Sequence, residues 1–202
     1  TGLGINEFGH LDGKEELPAN MPIPRGMGFT MSAKVNANHA SDTVSRRSGT
    51  GFLVYLNCSL THWMSRKQTS VESSSFGSEF VAMKQLCEYL GGLRYKLRMM
   101  GIPCEGPVLI SGDNQSGLAN TTIPNSTLKK KNQSIAYHFI REGAARDEWR
   151  TSYVNTHDNE ADLLTKLLSL VQTDKICDAH VAPYRLGAGM LDDAKMGVHG
   201  VD

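Results

Sequence analysis

The feature that most constrains the fold of this chain is a change in the spacing of its apolar residues. Three short segments, residues 29–37, 51–56 and 60–65, are rich in alternating, β-branched or aromatic residues, as expected of β-strands. From Phe80 to Met100 the apolar residues recur every three or four positions, which is the period of an amphipathic helix. This helix is expected to end at Gly101, before Pro103. Three strands followed by one long helix are therefore predicted to begin the fold.

The rest of the chain alternates strands and helices. Short apolar segments at residues 107–111 and 149–154 are predicted to be strands, and residues 133–147 are predicted to form the helix between them. A final helix is expected to begin near Asn159. This order of elements is typical of an α/β protein with helices packed over a mixed sheet.

Composition and length indicate one main domain with additional segments at both ends. A chain of 202 residues with 40% hydrophobic content can bury one core. We expect a partly extended connection segment at residues 1–28, the domain at 29–168 and a poorly ordered tail at 169–202. No apolar run approaches the roughly 18 residues needed to cross a membrane, and there is no leader, which predicts an intracellular protein. The four cysteines lack metal-ligand or redox spacing and are predicted to be buried, reduced thiols: Cys58, Cys87, Cys104 and Cys177.

The net charge of zero argues against nucleic-acid binding by overall electrostatic attraction. The charge is unevenly distributed along the chain. Residues 42–150 contain 14 Lys or Arg and 9 Asp or Glu, a net charge of 14 − 9 = +5 for this segment. Each basic run in this region has an ordinary explanation as a solvated surface. The runs become candidates for phosphate contact only if they surround an active site.

Three carboxylates stand in chemically suggestive positions. Glu79 lies in the first turns of the long helix, Asp113 follows a strand, and Asp162 begins a later helix. Such positions can converge at one edge of a sheet, and a site made only of carboxylates suits Mg²⁺ or Mn²⁺ rather than zinc. Each residue alone also has a structural explanation, since acidic residues favour helix N-termini and turns. A fourth acidic residue is expected at the end of the first strand, where Asn36 stands instead.

Five segments in order resemble a specific family. They are VNANHASDTVSRRSGTGFLVYL, HWMSRKQTSVESSSFGSEFVAM, ISGDNQSGLANTT, AYHFIREGAARDEW and YVNTHDNEADLLTKLL. Together they resemble the ribonuclease H domain at the C-terminal end of copia-type retrotransposon Pol polyproteins, from about Glu15 to Leu168. The resemblance implies a ribonuclease H-like α/β fold, in which helices flank a mixed five-stranded sheet made of a three-strand antiparallel meander and then parallel strands. It also implies a parent polyprotein whose reverse transcriptase domain is absent from this chain.

The resemblance assigns roles to individual residues. Asn36 occupies the first acidic position of the family, and Glu79, Asp113 and Asp162 match the other three, which would bind two Mg²⁺ or Mn²⁺ ions about 4 Å apart. The implied substrate is the RNA strand of an RNA–DNA hybrid, recognised by its shape and 2′-hydroxyls. His157 would either assist product release near the last carboxylate or be a loop histidine without a role. Because an amide brings no charge, Asn36 predicts weak metal binding and impaired cleavage.

Further residues are candidates for nucleic-acid contact. Arg46 and Arg47 lie where the family places a loop between the first two strands, and they either contact phosphate or belong to a solvated surface. Asn114 and Ser116 follow Asp113 and are expected to cap the next helix and to reach the nucleic-acid backbone. Trp63 is predicted to lie in the core.

Alternatives remain open. Asp42 could fill the position of Asn36 if the register of the first strand were shifted. The chain could be an active endonuclease of reverse transcription, a catalytically silent remnant with weak affinity for nucleic acid, or an integrase-type transferase on the same fold, which the motifs fit less well.

The expected location is a retrotransposon particle in the cytoplasm, or the nucleus, with no membrane partner.

Overall fold

A five-stranded mixed sheet forms the centre of the fold. The computed structural model describes residues 17–114, 134–174 and 176. The strands are β1 (Met31–Asn38), β2 (Gly49–Leu56), β3 (Ser59–Lys67), β4 (Val108–Gly112) and β5 (Trp149–Tyr153), in the spatial order β3-β2-β1-β4-β5. The first three strands form an antiparallel meander, and β4 and β5 add in parallel next to β1. This is the predicted ribonuclease H-like architecture, which is confirmed.

In the part of the chain that the structure describes, two α-helices pack on one face of the sheet. They are α1 (Ser75–Met99) and α2 (Ser134–Ala145). The Ser74 side chain caps α1 by accepting a hydrogen bond of 3.1 Å from the Gly77 amide. The helix ends at Met99, two residues before the expected Gly101, whose positive φ of 74° is a conformation that glycine favours at helix ends.

The hydrophobic core lies between these helices and the sheet. Alternate residues of β1 are buried there, as its period of two requires: Met31, Ala33, Val35 and Ala37. Phe80, Leu86 and Leu90 of α1 are almost fully buried, with no more than 1% of each exposed. The prediction that these apolar residues form the buried face of the helix is therefore correct. Met100, which was assigned to the same face, lies beyond the end of the helix and is 66% exposed.

The segment after β5 differs from the prediction. Instead of an α-helix, it forms two 3₁₀ helices, Thr156–Asp158 and Glu160–Leu164. Backbone hydrogen bonds there span three residues, as from Asp162 N–H to the Asn159 carbonyl at 3.1 Å. The Asn159 side chain also donates to the Val35 carbonyl at 3.0 Å, which fixes the segment to β1.

The opposite face of β1 is polar and lies beneath the second 3₁₀ helix. Glu160 is only 2% exposed and pairs with the Lys34 ammonium and the Tyr55 hydroxyl. A buried carboxylate needs such partners, because leaving it unpaired would be costly. These bonds hold the 3₁₀ helix that carries Asp162 against the sheet.

The chain divides into two compact units, residues 1–166 and 167–202. Most of the expected connection segment and most of the expected tail lie outside the described residues. In the described part of the second unit, residues 170–174 are helical. Within the described ranges, no helix is long and apolar enough to span a membrane.

Two predictions about burial are wrong. Trp63 is 63% exposed rather than buried, because it lies on edge strand β3 and faces away from the α1 side of the sheet. Cys58 is exposed because it lies in the two-residue turn between β2 and β3, whereas Cys87 is buried and Cys104 is partly buried. Cys177 lies outside the described residues.

Candidate active site

The centre of the site is Asn36, near the end of β1. Gly51 on β2 pairs with Asn36 across the antiparallel ladder. A Cβ atom at position 51 would lie 2.7 Å from Thr165 Cγ2 and 2.8 Å from Leu164 Cβ. Glycine is thus required there because it allows the end of the second 3₁₀ helix to approach the sheet. This close approach brings Asp162 and Thr165 to Asn36.

Asn36 and Lys166 both donate hydrogen bonds to Asp162. The Asn36 Nδ2 donates to Asp162 Oδ1 and, at 2.7 Å, to Thr165 Oγ1. The Lys166 ammonium lies 3.0 Å from Asp162 Oδ1 and 3.1 Å from Oδ2. Asn36 is 1% exposed, and its Oδ1 is buried without a hydrogen-bond partner. A buried oxygen that lacks a donor is unusual and indicates a possible ligand position.

Glu79 approaches the same point from α1. It is the fifth residue of the helix, and it accepts a hydrogen bond from the backbone amide of Ala37. Burial, followed by the negative charge of Asp113, raises the pKa of Glu79 to about 8. The Ala37 amide and Lys166 oppose this rise, and Asp162 adds to it. Without a bound cation, Glu79 is therefore largely protonated at neutral pH.

Asp162 also lies in an environment that disfavours its charge. Burial raises its pKa above the usual range, and the charge of Asp113 raises it further. The Lys166 ammonium and the Asn36 amide act in the opposite direction. The parallel pairing of β1 with β4, in which Lys34 lies opposite Ser111, places Asp113 level with Asn36, so Glu79, Asp113 and Asp162 all approach residue 36 from different elements.

The start of α1 is held in place by a residue that the sequence did not single out. Gln68 is 1% exposed, and its Nε2 donates to Thr50 Oγ1 at 3.0 Å and to the Ser78 carbonyl at 2.8 Å. It thereby joins β2 to the turn of α1 that carries Glu79. Three further residues of the site were not predicted from the sequence: Gly51, Thr165 and Lys166. The i,i+4 spacing of Asp162 and Lys166 is the one signal that could have indicated their pairing.

The donor set fits a hard divalent cation with few carboxylate ligands. Among the described residues, no three aspartate, glutamate, histidine or cysteine side chains are close enough to hold one ion. An ion would therefore be bound by fewer than three carboxylates, and the unpaired Oδ1 of Asn36 is an additional oxygen of a suitable type. All these candidate ligands are oxygen atoms, which Mg²⁺ and Mn²⁺ prefer.

Of the remaining predicted residues, the described ones lie at exposed positions or next to Asp113. His157 is exposed in the first 3₁₀ helix, where its backbone N–H donates to Asn155 Oδ1 at 3.0 Å. Arg46 and Arg47 are exposed in the loop between β1 and β2. Asn114 is partly buried directly after Asp113. Ser116 lies outside the described residues.

Asp42 does not take the place of the missing acid. Its carboxylate pairs with the Lys67 ammonium and accepts a bond of 2.9 Å from Ser45 Oγ, within the loop after β1. Lys67 in particular lowers the pKa of Asp42. The register of β1 instead places Asn36 at the site.

The chain is similar in sequence to three Pol polyproteins of plant transposons. It is 32% identical over 149 residues, 74% of this chain, to the retrovirus-related Pol polyprotein from transposon RE2 of Arabidopsis thaliana. It is 29% identical, over 82% of this chain, to the Pol polyprotein from transposon RE1 of the same plant. It is 26% identical, over 66% of this chain, to the Pol polyprotein from transposon TNT 1-94 of Nicotiana tabacum. The chain spans only 10–12% of the length of these relatives. No family model matches the chain.

The fold is similar to that of solved ribonucleases H. LC11-RNase H1, isolated from compost by a metagenomic approach, matches with a TM-score of 0.51 and 15% identity, over 67% of this chain and 92% of that chain. The same protein in complex with an RNA/DNA hybrid matches with a TM-score of 0.52 and 13% identity, over 67% of this chain and 94% of that chain. At these identities the likeness shows a shared fold.

Proposed function

Because this chain is homologous to the ribonuclease H region of plant retrotransposon Pol polyproteins of the copia type, we propose that it is a metal-dependent ribonuclease acting on RNA–DNA hybrids. The observation that carries the proposal is the convergence of Glu79, Asp113 and Asp162 beside residue 36 of β1. These are the positions at which the family resemblance expects its four acidic residues. The reverse transcriptase of a parent polyprotein is the proposed partner, and a cytoplasmic retrotransposon particle or the nucleus is the proposed location.

The residues of the site orient one another for this chemistry. The backbone amide of Ala37 fixes the carboxyl group of Glu79, and Lys166 and Asn36 fix that of Asp162. A divalent cation bound by these residues would supply the charge that activates a water molecule and stabilises the leaving 3′ oxygen. Glu79 must lose its proton to bind the cation, because only the carboxylate form is a strong ligand.

Asn36 reduces the negative charge of the site. With an amide at position 36, at most three carboxylates remain, and the ammonium of Lys166 offsets one of them. We therefore expect weaker cation binding and slower cleavage than for a site with four carboxylates. The second candidate function, a silent remnant that retains the fold and weak affinity for hybrids, is favoured by the same two residues.

Contact with the nucleic acid is proposed for the exposed loop after β1 and for the end of β4. Arg46 and Arg47 provide positive charge for phosphate groups, and Asn114 provides an amide next to Asp113. Such contacts recognise the backbone and the 2′-hydroxyls rather than base identity. His157 and Ser116 remain candidates from the family resemblance.

The experiment that tests this function is cleavage of a labelled RNA–DNA hybrid in Mg²⁺ and in Mn²⁺. The original chain is compared with Asn36→Asp, with Asp113→Asn and with Asn20→Asp. Asn20 is exposed in the turn before β1, so Asn20→Asp is a control for added charge outside the site. We expect Asn36→Asp to increase cleavage, Asn20→Asp to leave it unchanged and Asp113→Asn to abolish it. Equal, metal-independent cleavage by all four proteins would contradict the proposal.

A further inference from the structure

The oxygens of Asp162 are already occupied by hydrogen-bond donors of the chain. Lys166 contacts both of them, at 3.0 and 3.1 Å, and Asn36 donates to one. Lys166 is held locally, since its backbone N–H donates to the Asp162 carbonyl at 2.9 Å. Asp162 has 8% of its side chain exposed, so few further ligands can reach it. A cation shared by residue 36 and Asp162 would have to displace this ammonium.

The Asn36 amide is oriented in a way that separates the site into two sides. Its Nδ2 serves Asp162 and Thr165, whereas its Oδ1 is buried and unpaired. A cation is a favourable partner for an unpaired buried amide oxygen that lies next to acidic side chains. Thr165 lies over Gly51, on the β2 side of Asn36. The parallel pairing of β1 with β4, in which Lys34 lies opposite Ser111, places Asp113 level with Asn36 on the other side, and Glu79 accepts a hydrogen bond from the neighbouring Ala37 amide.

The charges agree with this division. Glu79, Asp113 and Asp162 can carry three negative charges, and Lys166 carries one positive charge, which leaves 3 − 1 = 2 negative charges. One divalent cation neutralises two charges, and a second one would leave the buried site strongly positive. The number of carboxylates therefore favours a single ion.

We propose that Lys166 is a positioning residue that acts as a tethered cation on the Asp162 side of the site. The chain then binds a single divalent cation on the other side, between Glu79, Asp113 and the Oδ1 of Asn36. This inference rests on the proposed function only in using the same site, because it concerns ion binding in the absence of nucleic acid. The single ion and the ammonium together replace the two ions that the family resemblance implies.

The test is the binding of Mn²⁺ to the full chain without nucleic acid, measured by the decrease of the electron paramagnetic resonance signal of free Mn²⁺. We expect the original chain to bind one Mn²⁺, and Lys166→Met to bind two, with the first about tenfold more tightly, because a nearby positive charge has been removed. Lys166→Arg should behave like the original chain. Lys84→Met is the matched control, since Lys84 pairs at 3.0 Å with Glu88 on the surface of α1 and should not affect binding.

A second variant tests the inference even if Lys166→Met does not fold. Asp162→Asn should retain the single Mn²⁺, because Asp162 is not a ligand in this proposal, but about tenfold more weakly, because a nearby negative charge has been removed. Asp113→Asn should lose the ion. Loss of Mn²⁺ binding in Asp162→Asn, or unchanged stoichiometry and affinity in a folded Lys166→Met, would overturn the proposal. Cleavage of the hybrid is measured separately, so a chain that binds one Mn²⁺ but cleaves nothing supports this inference and contradicts the proposed function.

Discussion

Replacing Glu79 with glutamine should make the stability of the fold less sensitive to pH. The pKa of Glu79 is raised from 4.5 to about 8, mainly by burial. Below pH 4.5 the carboxyl is protonated in both the folded and the unfolded chain, so it has no pH-dependent cost. Between pH 4.5 and 8 the unfolded chain loses the proton while the folded chain keeps it, so the folded state loses stability as the pH rises. Above pH 8 the penalty is constant.

The magnitude follows from the size of this shift. A difference of 8 − 4.5 = 3.5 units corresponds to an upper limit of about 5 kcal/mol, at about 1.4 kcal/mol per unit. Because the Glu79 side chain is only partly buried, solvent weakens the effect, and we expect a loss of folding free energy of about 2–4 kcal/mol. Glutamine retains the oxygen that accepts from the Ala37 amide but has no proton to lose. Relative to the original chain, Glu79→Gln should thus gain about this amount of stability between pH 5 and pH 8.5.

The assay is urea unfolding in the presence of EDTA at several pH values. Glu88→Gln is the matched control, because Glu88 is on the same helix with 51% of its side chain exposed. The stability difference between Glu88→Gln and the original chain should change with pH by no more than about 0.5 kcal/mol. Added Mg²⁺ should reduce the advantage of Glu79→Gln, because the cation binds the ionised carboxylate of the original chain. If the free energies of Glu79→Gln and the original chain differed by a constant amount at all pH values, the assigned burial of Glu79 would be refuted.

The remaining predictions concern three glycines and can be checked by urea unfolding. A Cβ at Gly143 of α2 would lie 2.0 Å from Trp149 Cζ2, so Gly143→Ala should cost about 1–3 kcal/mol through overpacking. Gly92 of α1 has nothing within 4 Å of its Cβ position, and Gly92→Ala should stabilise the fold by about 0.5–1 kcal/mol. Gly51→Ala should cost about 1–3 kcal/mol by pushing Thr165 away from β2. Unchanged stability in Gly143→Ala or Gly51→Ala, or a loss in Gly92→Ala, would contradict the respective packing.

The features of the fold that depend on local spacing could be predicted from the sequence. The period of two in β1 and the period of three to four around Phe80 and Leu90 identified the strands and the long helix, because burial on one face imposes these periods. The approach of Glu79 and Asp113 followed from their positions at the start of a helix and after the end of a strand. The assignment of fold and family also needed the resemblance of whole motifs, since many folds share these periods.

The features that depend on contacts between distant segments could not be predicted. Gly51 allows the close approach of Thr165, yet no local sequence pattern connects these two residues, which are more than 100 positions apart. The 3₁₀ form of the segment that carries Asp162 arises because its side chains bond to the sheet, which overrides helical propensity. Trp63 was wrongly assigned to the core, because alternation in a strand does not show which face is covered.

The amide at position 36 also explains how the site can fold without a cation. Four carboxylates at this depth would repel one another, and bound cations or additional protons would have to offset the repulsion. Asn36 instead donates hydrogen bonds to Asp162 and Thr165, and Lys166 neutralises Asp162. Glu79 avoids the remaining repulsion by keeping its proton. In the proposed function, the same groups that stabilise the ion-free fold would compete with a cation for the oxygens of the site, so an amide at position 36 would favour stability without the ion over affinity for it.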